Sequence, residues 1–210
     1  RGKPIYRNTG NKYEIIGYKH EPIFDVGGCT LLPRTWSQQT PMHVMAYRNI
    51  LHLKPWQKPS FSDQLRFLII HQIGYFYLRY FLWNFAGRAS DVQGASWLTP
   101  LDTLKKLPDT LAQTPGRSNY LCLPLLLGLL GMFFQYKHDK HSFWTVCMLF
   151  LMLGVALVVF LNPPPVEPRE RDYIYVGSFL TFTIWIALGA LAVIEYLKKL
   201  FKNNKIAILT

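Results

Sequence analysis

The sequence predicts a mostly α-helical, polytopic membrane fold, with an outer-face region that carries a β-hairpin and an interfacial helix. Three observations lead there. Half of the 210 residues are hydrophobic and only 17% are charged. The apolar residues gather in runs after Tyr120, whereas the earlier chain mixes polar and aromatic side chains. Two of the runs match the roughly 20 residues of helix that cross a hydrocarbon core.

The spacing divides the chain into residues 1–119, outside the membrane, and residues 120–210, a transmembrane region with spans at 120–136, 143–161 and 173–194. A possible fourth run opens at "NKIAILT". The chain begins without methionine and reads as an interior piece of a longer polypeptide, and no apolar run has the position or cleavage site of a signal peptide. The net charge of +11 is scattered rather than clustered. Basic residues that flank membrane helices account for it better than nucleic acid does. Cys29, Cys122 and Cys147 form no disulfide framework and read as small hydrophobes.

In order along the chain, "KPIYRNTGNKYEIIGYK" predicts a hairpin, because Tyr/Ile-rich runs flank Asn-Thr-Gly-Asn. "TLLPRTWSQQTPMHVMAYRNIL" predicts a loop and a short helix, with Thr40 as N-cap and Pro41 at the first helical position. Ser60 or Ser62 caps the next segment, residues 61–86, which is long enough to span yet holds Arg66, His71 and Arg79. The two arginines stand about 20 Å apart along a helix. A helix lying in the interface accommodates both; the alternative is a buried spanning helix with paired charges. "TPLDTLKKLPDTL" reads as a short amphipathic helix ended by Pro108. Lys137, Lys140 and the Lys-rich tail place those ends in the cytoplasm, and residues 1–119 and 162–172 outside.

Two stretches carry candidate chemistry. In "YFLWNFAGRASDVQGASW", Asn84, Arg88 and Asp91 lie beside aromatic rings. Amide, guanidinium and carboxylate groups near ring faces suit a sugar or a lipid-phosphate headgroup; an interfacial aromatic anchor is the alternative. In "NPPPVEPRERDYIYVG", prolines stiffen the approach to Arg169, Glu170, Arg171 and Asp172. Two guanidiniums with two acids suggest an anion site at the membrane surface, with Asp172 as N-cap of the third span. His138, Asp139 and His141 read as a solvated turn, and no metal set is predicted. Catalytic triads and phosphate loops have no signature here.

"LRYFLWNFAGRASDVQG", "PGRSNYLCLPLLLGLLGMFFQY" and "PRERDYIYVGSFLTFTIWIALG" together resemble the central part of the DUF2723 family, membrane proteins abundant in Bacteroidetes and grouped with GT-C-type glycosyltransferases. The resemblance implies a GT-C-like fragment of an inner-membrane protein, with the outer regions facing the periplasm. It implies transfer of a sugar, mannose in the related protein O-mannosyltransferases, from a polyprenyl-phosphate donor to Ser/Thr of an exported protein acceptor. No cofactor is assigned, and membrane lipid is the surrounding partner. The catalytic carboxylate is expected upstream, leaving Asn84, Arg88, Asp91 and Arg169–Asp172 as substrate-binding candidates. A non-enzymatic membrane scaffold or transporter subunit is the alternative.

Overall fold

The structure, a computed structural model, describes residues 2–10, 12–19, 32, 35, 40–103, 107–112 and 114–203. It is mostly helical, with two small antiparallel sheets. Two compact units divide at Leu31/Leu32. Cys29, most of "LLPRTWS" and the opening of the possible fourth span lie outside the described residues.

The first unit carries the expected hairpin. β1 (Pro4–Asn8) pairs with β2 (Tyr13–Tyr18), with a register shift at Ile5/Tyr6. Gly10 takes φ of 98°, a left-handed turn conformation open to glycine. Asn8 Oδ1 accepts from the Gly10 N–H at 2.9 Å and closes the turn.

In the second unit, α1 (Pro41–Leu51) starts after Thr40 with proline in its first turn, as expected, although Thr40 makes no side-chain cap bond. Ser60, one of the two predicted caps, opens α2 (Phe61–Arg66): its hydroxyl accepts from the Asp63 N–H, and the Asp63 carboxylate accepts from the Ser60 N–H. The helix continues through a π-helical stretch, Phe67–Leu78, into α3 (Arg79–Phe85). Phe76, Tyr77, Tyr80, Phe81, Trp83 and Phe85 on this helix enter the main core beside Phe179, Phe182 and Trp185.

A short antiparallel pair, β3 (Gly87–Arg88) with β4 (Ser118–Asn119), follows α3. The middle of the predicted amphipathic helix near residue 100 lies outside the described residues. A 3-10 turn, Pro100–Thr103, and a separate one-turn α4 (Asp109–Ala112) occupy its described part. Thr99 donates its N–H and hydroxyl to Asp102, which fixes the first turn locally.

The apolar half is α5 (Leu123–His138), then α6 (Lys140–Leu151), a π-helical turn Met152–Ala156, and α7 (Leu157–Leu161) in one run. A 3-10 turn, Asp172–Tyr175, leads into α8 (Val176–Asn203). Asp139 separates α5 from α6 and caps the latter through the N–H groups of His141 and Ser142. Lys140–Leu161 and Asp172–Phe201 are each long and apolar enough to cross a membrane. Over the expected span at 120–136 lies α5, a shorter helix than these two. Left-handed backbone at Leu121 and Cys122 delays α5 until Leu123. Its 16 residues rise about 24 Å, short of a hydrocarbon core of about 30 Å.

α5 and α8 run in the same direction, because Gly128 lies against Phe182 while Phe134 and Lys137 share a groove with Val193 and Tyr196. α6 runs counter to them: Phe143 meets Trp185 and Phe150 meets Phe182. Glycine permits the close approach of α5 to α8. A Cβ on Gly131 would lie 1.8 Å from the Trp185 carbonyl oxygen, and one on Gly189 2.0 Å from that of Leu127. These neighbours are backbone, so they cannot rotate away. Gly131→Ala is expected to destabilise the protein by about 1–3 kcal/mol through overpacking, measured by thermal unfolding in detergent. Gly17→Ala in the hairpin, where a Cβ meets nothing within 4 Å, is expected to leave unfolding unchanged.

Candidate functional site

The polar centre of the second unit is an ion pair between residues 91 positions apart. Arg79 stands at the start of α3, and its helix turns the side chain toward the proline-rich loop between α7 and α8. Its Nη2 donates to Glu170 Oε2 at 2.8 Å, and its Nη1 donates to Glu170 Oε1 at 3.1 Å. The guanidinium also donates from Nη1 to the Ala95 carbonyl at 3.2 Å and from Nε to the Tyr75 carbonyl at 3.0 Å. Its Cζ lies 4.0, 4.7 and 4.5 Å from the ring centroids of Tyr75, Tyr80 and Trp83. The forked geometry that arginine alone provides is fully used.

Glu170 is equally engaged. Beyond Arg79, its carboxylate accepts a short bond from the Tyr80 hydroxyl and one of 2.6 Å from the Gly94 N–H. Burial pushes this carboxyl up, but the hydrogen bonds from Arg79, Tyr80 and Gly94 and the guanidinium charge outweigh it, holding the group below its ordinary value of 4.5. Three segments are thereby joined: the π/α helix, the loop after β3 and the proline-rich loop. Gln93 adds a further tie, donating to the Glu167 carbonyl at 2.8 Å. At the foot of the loop, Gln72 donates to Asn162 Oδ1 at 2.7 Å. Asn162 ends α7 with φ of 44°, a conformation that asparagine tolerates.

The sequence-derived candidates fall into different settings. Glu170 fixes a guanidinium, that of Arg79, and so forms part of the packing. Arg169 is exposed, with the Tyr173 hydroxyl at 3.4 Å as acceptor. Arg171 lies 3.7 Å from Glu167, and its Nε is buried without a hydrogen-bond partner. Asp172 does not cap: it occupies the first position of the 3-10 turn, and its carboxylate accepts from the Tyr173 N–H. Arg171 stands at the N-cap and makes no side-chain bond there. Asn84 donates to the Tyr80 carbonyl of its own helix at 2.8 Å. Arg88 stacks on Trp83 at 4.1 Å, and Asp91 is exposed beside Gly116.

Two small adjoining cavities, about 70 and 130 Å³, share Phe76, Tyr80 and Glu167 as walls. Arg171 lines the first and Arg169 the second, so the two arginines do not converge on one cavity. Glu167, which sequence reasoning passed over, has a side chain only 8% exposed. Burial pushes its carboxyl up, against the pull of Arg171. Among the described residues, no group of three or more His, Cys, Asp or Glu could hold a metal ion.

The family described as "Family of unknown function (DUF8416)" matches residues 1–69. No curated protein and no solved structure matches the chain. The resemblance to DUF2723 is therefore corrected: neither that family nor any glycosyltransferase family matches. The motifs behind it contain the aromatic core and the Arg79–Glu170 pair, and packing demands of this kind do not specify a reaction.

Removing one partner of a buried pair leaves the other charge uncompensated, which costs about 3–5 kcal/mol. Glu170→Gln is expected to lower stability on that scale, measured by unfolding in detergent. The pH dependence has a definite sign. A carboxyl held low contributes stability that is complete above its unfolded value near 4.5 and is lost as pH falls through its folded value. Glu167, held high, acts oppositely, because protonation relieves its burial at a higher pH than Glu170 titrates. The wild type is therefore expected to lose stability below about pH 4.5, and the Glu170→Gln variant to lose less, because the carboxyls of Asp63 and Asp139, also held low, still titrate there.

Proposed function

We propose that this chain forms part of an integral membrane protein that holds a phosphate-bearing, lipid-linked headgroup at one face of the bilayer. The supporting observation is the state of the charges on the proline-rich loop. Its acid at 170 is held by Arg79, whereas exposed Arg169 has no carboxylate partner among the described residues. A guanidinium on a pinned loop binds an oxyanion with less ordering entropy than one on a mobile loop. The membrane setting is supported by the two long helices, of whose most apolar windows only 11% and 33% is buried inside the protein. A core helix of a soluble protein would be mostly covered.

In the enzymatic form of this reading, the ligand is a polyprenyl-phosphate sugar and the acceptor a Ser or Thr of an exported protein. The outer regions then face away from the cytoplasm, as the lysines near 137–140 and 198–199 support. A second reading, a non-enzymatic scaffold, is favoured by the internal use of Glu170, which removes that carboxylate from ligand chemistry.

Binding of a polyprenyl phosphate to the protein in nanodiscs, compared with the uncharged polyprenol, tests the proposal. The phosphate is expected to bind more tightly. Arg169→Ala is expected to weaken that binding about tenfold, the loss of one charge-assisted contact, without lowering the unfolding temperature. Equal affinity for both lipids, or an Arg169→Ala variant that binds as the wild type does, favours the scaffold.

A further inference from the structure

Trp83 lies between two guanidiniums. Arg79 Cζ is 4.5 Å and Arg88 Cζ 4.1 Å from its ring. The ring's quadrupole attracts both cations, yet two positive charges on one indole repel each other unless each is compensated. Arg79 is compensated by the two oxygens of Glu170. Arg88 is not: among the described residues its guanidinium makes no ion pair and no hydrogen bond, and its Nε is buried without an acceptor. The indole Nε1 of Trp83, a residue 4% exposed, is likewise buried without an acceptor. Buried donors in native proteins are nearly always answered, so two unanswered donors at one place call for an explanation.

The backbone holds Arg88 firmly in this position. It pairs with Ser118 on one side and bridges to Trp97 on the other. Gly87 before it has φ of 144°, and a Cβ there would lie 2.7 Å from the Ser118 carbonyl oxygen. A strand pair that admits only glycine beside the arginine, and stacks that arginine on a buried ring, fixes a cation with no counter-charge among the described residues. Arg88 is only partly buried as a residue.

We propose that Arg88, carried on the Trp83 ring, is the primary contact of an oxyanion site, distinct in its residues from the Arg169 grip described above. The ligand class is a tetrahedral or carboxylate oxyanion, because a planar guanidinium takes two oxygens at once. The unanswered indole N–H adds a donor at the same place. A phosphate has two sources here, a free ion and an anionic lipid headgroup, and the test separates them.

The full chain in a neutral detergent is titrated with inorganic phosphate by calorimetry. In parallel, its partition between nanodiscs of phosphatidylglycerol and of phosphatidylcholine is measured. Saturable phosphate binding identifies the free ion, and preference for phosphatidylglycerol without it identifies the headgroup; either supports the site when it depends on Arg88. Arg88→Gln is expected to weaken the observed binding at least about tenfold, while Arg66→Gln, at an exposed arginine of α2, leaves it unchanged. Should Arg88→Gln fail to fold, Arg88→Lys, which keeps the charge and loses the fork, is expected to weaken binding severalfold. Neither form of binding by the wild type, binding that Arg88→Gln leaves intact, or wild-type affinity in Arg88→Lys when it alone folds, overturns the proposal. Loss in Arg169→Ala alone would assign the binding to the other loop and overturn this site as well.

Discussion

A guanidinium and a carboxylate that enter a protein interior have to satisfy each other, and most of the second unit is arranged around that requirement. Arg79 and Glu170 have side chains 7% and 16% exposed, so water does little to stabilise either alone. Their two-pronged contact is completed by carbonyls from Tyr75 and Ala95, the hydroxyl of Tyr80 and the N–H of Gly94. Such a set is stable only when every member is present, since a half-satisfied buried network is costly. The helix bearing Arg79, the loop after β3 and the loop bearing Glu170 are therefore held in one arrangement.

Other buried polar contacts repeat this logic at lower charge. Tyr77 and Ser178 share a hydrogen bond of 2.6 Å, and Ser178 donates to the Phe150 carbonyl at 3.0 Å. Trp185 Nε1 donates to Gln135 Oε1 at 2.7 Å. Between these points the packing is aromatic, with Phe81 against Phe182 at 4.8 Å and Phe85 against Phe182 at 4.7 Å. Ring contacts supply area but tolerate sliding, whereas a hydrogen bond in apolar surroundings fixes height along a helix. The polar pairs thus set the register of a bundle whose bulk stability comes from rings and aliphatic side chains.

Much of the local structure was legible in the sequence because its causes are local. Asn8-Thr9-Gly10 marks a hairpin turn, Ser60 or Ser62 marks a helix start, and long apolar runs mark the two long helices. The third run makes a shorter helix than composition suggests, because left-handed backbone at Leu121 and Cys122 uses up residues that hydropathy counts as helix. The candidate site was harder to read. Arg79 was recognisable as a charge in need of a partner, but nothing in one sequence indicates that the partner lies 91 residues away. The charged loop suggested arginines that bind and acids that orient them. The fold instead turns one acid inward and places the two loop arginines on separate small cavities. Family resemblance misled for a related reason: residues that build a core recur without fixing a chemistry.

Inter-segment coupling at Arg79 and Glu170 is the central claim, and a double-mutant cycle measures it directly. Unfolding free energies of the wild type, Arg79→Gln, Glu170→Gln and the double variant are compared in one detergent at neutral pH. The account predicts that the second substitution costs far less than the first, with a coupling energy of about 1.5–3 kcal/mol. Additivity of the two single substitutions within about 0.5 kcal/mol would contradict it, because the two side chains would then not be holding each other.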